Sequence, residues 1–93
     1  MASAAYIRER LLDSIRVDVG EETIQDILDN NKYLVILAPE GSDLWTSPKN
    51  DFRVAASLDE ARRFTKGYNW DTARVASALV LSGGRHNLKC GEP

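Results

Sequence analysis

Three groups of side chains in this chain could do chemistry. The first is His86 with Cys90, the one histidine and the one cysteine, placed four residues apart. On a helix that spacing would put both on one face, as a nucleophile–base pair or half a metal site. A structural zinc site needs four ligands, and a nucleophilic pair needs rigid geometry that a glycine-flanked terminal segment rarely supplies. The nearby "SGGRHN" lacks the spacing and the lysine of a phosphate-binding loop. The expectation is no catalytic residue, no metal and no cofactor: a protein that is not an enzyme.

The second group is acidic. Glu22, Asp26 and Asp29 are spaced by four and three, so a helix would align them in a stripe, with Glu21 and Asp18 close by. No lysine or arginine lies between Arg16 and Lys32 to neutralise them. A solvated helix face is the competing account. The functional account is a docking surface for a basic partner, where charge complementarity speeds and orients association. Trp45 is a candidate anchor for the same partner, because tryptophan is enriched among interface hot spots.

The third group is basic and aromatic: Arg53, Arg62, Arg63, Lys66 and Arg74, with Tyr68 and Trp70 among them. Cations interleaved with rings can hold a nucleic-acid backbone and stack its bases. Local explanations compete here too. Arg63 can pair with Asp59 or Glu60 on its own helix, Lys66 suits the negative end of a helix dipole, and Trp70 can pack on the core.

These groups need elements to position them. Ile7, Leu11 and Ile15 recur at four-residue spacing and predict a helix over Tyr6 to Ile15, stopped within "RVDVG". A second helix is expected from Glu21 to Asn30, with Ile24, Ile27 and Leu28 as its apolar stripe and Asn30 and Asn31 at its end. "KYLVILAP" carries an unbroken apolar run, Tyr33 to Leu37, which suggests a central strand covered on both faces. "LWTS" and "FRVAA" read as two further strands of an antiparallel meander. "SLDE" from Ser57 matches a capping box that starts a helix, with Leu58, Ala61 and Phe64 facing the sheet. Asn69 would cap a last helix from Trp70 to about Leu81, and residues 85–93 would form a loose tail. The expected fold is therefore α+β: a three-stranded antiparallel sheet flanked by N-terminal and C-terminal helices, in the order ααβββαα.

Composition agrees with one such domain. The 93 residues are 43% hydrophobic and 28% charged, within the ordinary globular range. The net charge of −2 gives no global attraction to nucleic acid or membrane, yet it is unevenly spread. Residues 1–46 hold four basic and nine acidic side chains, whereas residues 47–93 hold eight basic and five acidic. A single cysteine rules out a disulfide within the chain and suits a reducing cytoplasm. No apolar run approaches the ~20 residues of a membrane-spanning helix.

The stretch from Lys32 to Leu79 resembles a pattern in small phage and prophage proteins: a "KYLVI" strand, a tryptophan strand, "SLDEARRF" and an alanine-rich helix. The residues that carry it are Tyr33, Val35, Trp45, Leu58, Glu60, Ala61, Phe64 and Ala73, and "KGYNWD" departs from the pattern. The resemblance implies a phage-type protein that binds and inhibits a host protein complex, as anti-CRISPR proteins do to CRISPR effectors. The acidic residues Glu21, Glu22, Asp26 and Asp29, with Trp45, would be its contact surface. Two alternatives stand beside it. One is a small nucleic-acid-binding regulator that uses Arg53, Arg62, Arg63, Lys66, Tyr68, Trp70 and Arg74. The other is a homodimeric structural or interaction module.

Overall fold

The computed structural model describes residues 3–83. The first helix, α1 (Ala4–Ile15), begins two residues earlier than its periodicity suggests. Ser3 caps it, with its hydroxyl accepting from the Tyr6 amide at 3.1 Å. Ile7, Leu11 and Ile15 are buried, as their spacing requires. The helix stops at Arg16 rather than at Gly20: Arg16 takes a left-handed conformation, with φ of 50°. Its side chain then donates from Nε to the Ser47 carbonyl at 2.7 Å and from Nη2 to the Leu44 carbonyl. Those bonds to charged nitrogen offset an unfavourable backbone state.

Helix α2 (Glu21–Asn30) spans the expected residues and ends on Asn31 with φ of 52°, a conformation asparagine tolerates. Strand β1 (Tyr33–Leu37) follows, then β2 (Asp51–Ala55), helix α3 (Leu58–Phe64), strand β3 (Ala73–Ser77) and the short helix α4 (Ala78–Ser82). The α+β class and the three-stranded antiparallel sheet hold, but the order is ααββαβα.

Two expectations fail, and they fail together. "LWTS" is not a strand: Leu44 to Thr46 form a turn. The Asp43 carboxylate accepts from the Trp45 and Thr46 amides, both at 2.9 Å, and pulls the chain out of extension. The segment expected as a helix from Trp70 to Leu81 is instead strand β3 followed by α4. The sheet is therefore no meander. Its order is β2-β1-β3, with β1 antiparallel to both neighbours. The expected loose tail lies outside the described residues.

The central position of β1 explains its unbroken apolar sequence. Leu34 and Ile36 join Ile7, Leu11, Ile24, Ile27 and Leu44 in one buried cluster. Val35 and Leu37 join Ala55, Ala61 and Ala73 in a second cluster, with Phe64 of α3 packed against it. Each large aliphatic side chain removed from water adds roughly 1.5–3 kcal/mol. Leu58 is exposed, so α3 meets the sheet through Ala61 and Phe64 alone of its expected trio. Ser57 caps α3 as expected, accepting from the Glu60 amide at 3.1 Å. Glu60 reaches back one residue further than the usual box, accepting from the Ala56 amide at 2.8 Å.

Candidate functional site: an aromatic–arginine cleft

A buried arginine stands between two tryptophans from different loops. Arg74 on β3 is 5% exposed. Its guanidinium carbon lies 3.6 Å from the centre of the Trp70 ring and 5.1 Å from that of Trp45. One of its nitrogens donates to the Ala73 carbonyl at 3.0 Å. A planar, weakly hydrated guanidinium suits such a stack, and a desolvated cation over an indole is worth about 2 kcal/mol.

Both loops are braced. Leu44, fully buried, anchors the β1–β2 connection. Its amide donates to the Asp71 carbonyl at 2.8 Å, which ties this loop to the turn carrying Trp70. That turn is built on Asn69, whose Oδ1 accepts from the Asp71 amide at 2.9 Å. Its carbonyl accepts from the Thr72 and Ala73 amides at 3.0 and 3.1 Å. Asn69 therefore caps a turn that feeds a strand, not the helix expected from it. The amide and hydroxyl of Thr46 and the amide of Trp45 all donate to Asp43, and they hold its pKa below the usual carboxylate value.

Beside the stack opens a cleft of about 220 Å³, lined by Thr65, Tyr68, Asn69, Trp70, Ala73, Arg74 and Val75. Trp45, Tyr68 and Trp70 remain 55%, 42% and 44% exposed. Exposed apolar side chains are ordinary when scattered singly, but rings gathered in one place mark an interaction surface. Thr65, Asn69, Ala73 and Val75 were missed as lining residues. The "NWDT" turn was the available signal, since Asn and Asp followed by Thr favour local side-chain turns over helix.

The structure divides the basic set. Tyr68, Trp70 and Arg74 come together in the cleft. Arg53 lies over the Phe64 ring at 5.5 Å. Arg62, rather than Arg63, faces Asp59, at 3.8 Å. Arg63 and Lys66 are exposed. Trp45 sits with this set and not with the acidic helix.

The acidic stripe is also less bare than its sequence suggests. Lys32 folds back onto Asp26 at 2.8 Å, and Asn30 donates to the same carboxylate at 2.6 Å. These partners depress the Asp26 pKa, the Lys32 bond most of all. Gln25 donates to Asp29 at 2.9 Å, and Arg8 pairs with Asp18 at 3.0 Å. Glu21 and Glu22 are exposed in the first turn of α2, where carboxylates suit the helix dipole.

Among the described residues no three metal-binding side chains cluster, and no helix is long and apolar enough to cross a membrane. His86 and Cys90 lie outside the described residues. Comparison with protein families, curated proteins and solved structures finds no match to this chain.

Proposed function

We propose that this chain is a non-catalytic protein-binding module that docks through Trp45, Tyr68, Trp70 and Arg74. The observation that carries this reading is the Trp45–Arg74–Trp70 stack bordering an open cleft. Tryptophan, tyrosine and arginine dominate interface hot spots. Here the stack and the braced loops hold the rings in place before a partner arrives, which lowers the entropy lost on binding. The exposed Glu21 and Glu22 on α2 add a separate charge that would steer a basic partner rather than anchor it. In its wider form the reading makes the partner a host protein complex that is inhibited by binding, as the resemblance to small phage proteins implies.

A nucleic-acid reading has less to stand on. One face of Trp70 is already covered by Arg74, Arg53 lies over Phe64 and Arg62 faces Asp59. Arg63 and Lys66 alone would neutralise few phosphates.

The test uses a partner captured from the source cell with the full chain. Affinity is then measured for W45A, Y68A and W70A, and for the charge reversal E22K/D26K/D29K, with circular dichroism as the folding control. The reading expects at least one ring variant to lose tenfold or more, about 1.4 kcal/mol, and the charge reversal to lose less. Ring variants that bind like the parent, with the charge reversal abolishing binding, would move the interface to α2. Steeply salt-dependent binding to a generic duplex would instead favour nucleic acid.

A further inference from the structure

We infer that the end of α1 governs the cleft: Arg16 and Asn50, neither of which lines it, are positioning residues that hold Trp45 in the stack. Two local irregularities lead to them. Arg16 takes a left-handed φ of 50°, a state that side chains other than glycine avoid. Asn50 is 2% exposed, and its carboxamide oxygen meets no donor among the described residues. A polar atom buried in this way is costly and calls for an explanation. Irregularities of both kinds persist where the surrounding structure imposes them, and they gather at functional sites.

Both residues serve one peptide group. The Leu44 carbonyl accepts from Arg16 Nη2 and from Asn50 Nδ2, the latter at 3.2 Å. The N–H of the same peptide group belongs to Trp45 and donates to the Asp43 carboxylate at 2.9 Å. The Leu44–Trp45 peptide plane is thus held from both sides, and with it the bond that leads on to the Trp45 Cα. Asn50 is tied in turn to the end of α1. Its Nδ2 also donates to the Ile15 carbonyl at 2.7 Å, and its amide donates to the Arg16 carbonyl at 2.8 Å. Both acceptors of Nδ2 are carbonyls, so a reversed carboxamide would set oxygen against oxygen. Arg16 Nε adds its bond to the Ser47 carbonyl.

The two rings of the stack are therefore held differently. Trp70 stands in a turn with its own bonds from Asn69, directly before the strand that carries Arg74. Trp45 comes from a distant loop, and its place is set through Arg16 and Asn50. A contact residue is only as well placed as the groups that support it. The consequence for a partner, which rests on the docking reading above, is that Arg16 and Asn50 tune affinity from outside the contact surface.

NMR of the full chain without a partner tests the inference through the side chain of Arg74. In the parent, nuclear Overhauser effects should join Arg74 to both indoles, and ring currents should shift its protons upfield. N50A and R16A should lose the Trp45 contact and part of that shift, while the Trp70 contact stays. R16K keeps one donor group and should fall between R16A and the parent. I7V thins the core near the start of α1 and should keep both contacts, which separates positioning from a general loss of stability. Circular dichroism selects conditions where each variant is folded, and R16A and R16K carry the test if N50A is not. Both contacts kept in the folded variants, or both lost together, would overturn the inference. So would an I7V that loses the Trp45 contact in the same way. With the captured partner, N50A should weaken binding as W45A does. If the partner ignores W45A and N50A although N50A has lost its Trp45 contact, Trp45 leaves the docking surface and the positioning role stands.

Discussion

Arg74 and Trp70 are in stacking contact, with 3.6 Å between the guanidinium carbon and the ring centre. They belong to a strand and to the turn that precedes it, and through Trp45 the stack reaches a third segment. One side chain thus fastens the two loops that form the candidate surface. R74A should lose about 2 kcal/mol, with R74K intermediate because an ammonium keeps the charge and loses the planar stack. Urea unfolding gives the energies. Tryptophan fluorescence should shift toward the exposed-indole position in R74A before global unfolding.

Acid should loosen the Trp45 turn late. The Asp43 carboxyl is held below its ordinary pKa by bonds from the Thr46 amide, the Thr46 hydroxyl and the Trp45 amide. A group whose folded pKa is depressed adds stability above its unfolded pKa. That stability is lost as pH falls through the folded value. The Trp45 turn should thus persist at the pH where a free aspartate is half protonated and weaken only below it. An NMR titration of the Asp43 carboxyl carbon and the Thr46 amide checks this, and a midpoint at or above the free-aspartate value would contradict it.

Arg16 offers a contest between backbone and side chain. Its φ of 50° favours glycine, for which R16G alone would gain several tenths of a kcal/mol to about 1 kcal/mol. The same substitution removes bonds to the Ser47 and Leu44 carbonyls, each worth about 1.5–3 kcal/mol when the donor is charged. R16G should therefore be destabilised on balance, by chemical denaturation, and N31G, where asparagine bears no such side-chain bonds, should be neutral or more stable.

Leu44 and Leu12 separate burial from mere hydrophobicity. Leu44 is fully buried under the cleft loop, so L44A should cost about 2–5 kcal/mol and disturb the tryptophans. L12A removes a side chain that already faces water and should stay within about 0.5 kcal/mol of the parent. Thermal or urea melts of the pair decide the ranking.

Much of the fold was legible in local pattern. Four-residue apolar spacing marked α1 and α2, the unbroken run from Tyr33 marked a strand buried on both faces, and Ser57 marked the start of α3. The candidate site was legible only as separate residues. Trp45, Tyr68, Trp70 and Arg74 were each singled out, but Trp45 was grouped with the carboxylates of α2. The pairing of Asp26 with Lys32 was hidden too, because it needs the chain to turn at Asn31 and bring the lysine back.

Local signals in the chain are enough for most elements: periodicity, caps, turn residues and the need of β1 for a neighbour on each side. Which segment became the second neighbour was a matter of long-range packing. "ARVASALVL" has apolar residues at both helical and strand spacings, and its alanines favour helix. Pairing with β1 overrides that preference, because an unpaired edge on a buried central strand would strand its backbone polar groups away from water. With the tryptophan segment turned by Asp43, residues 73–77 fill that place. The same choice carries Arg74 to Trp45 and Trp70, and so creates the cleft.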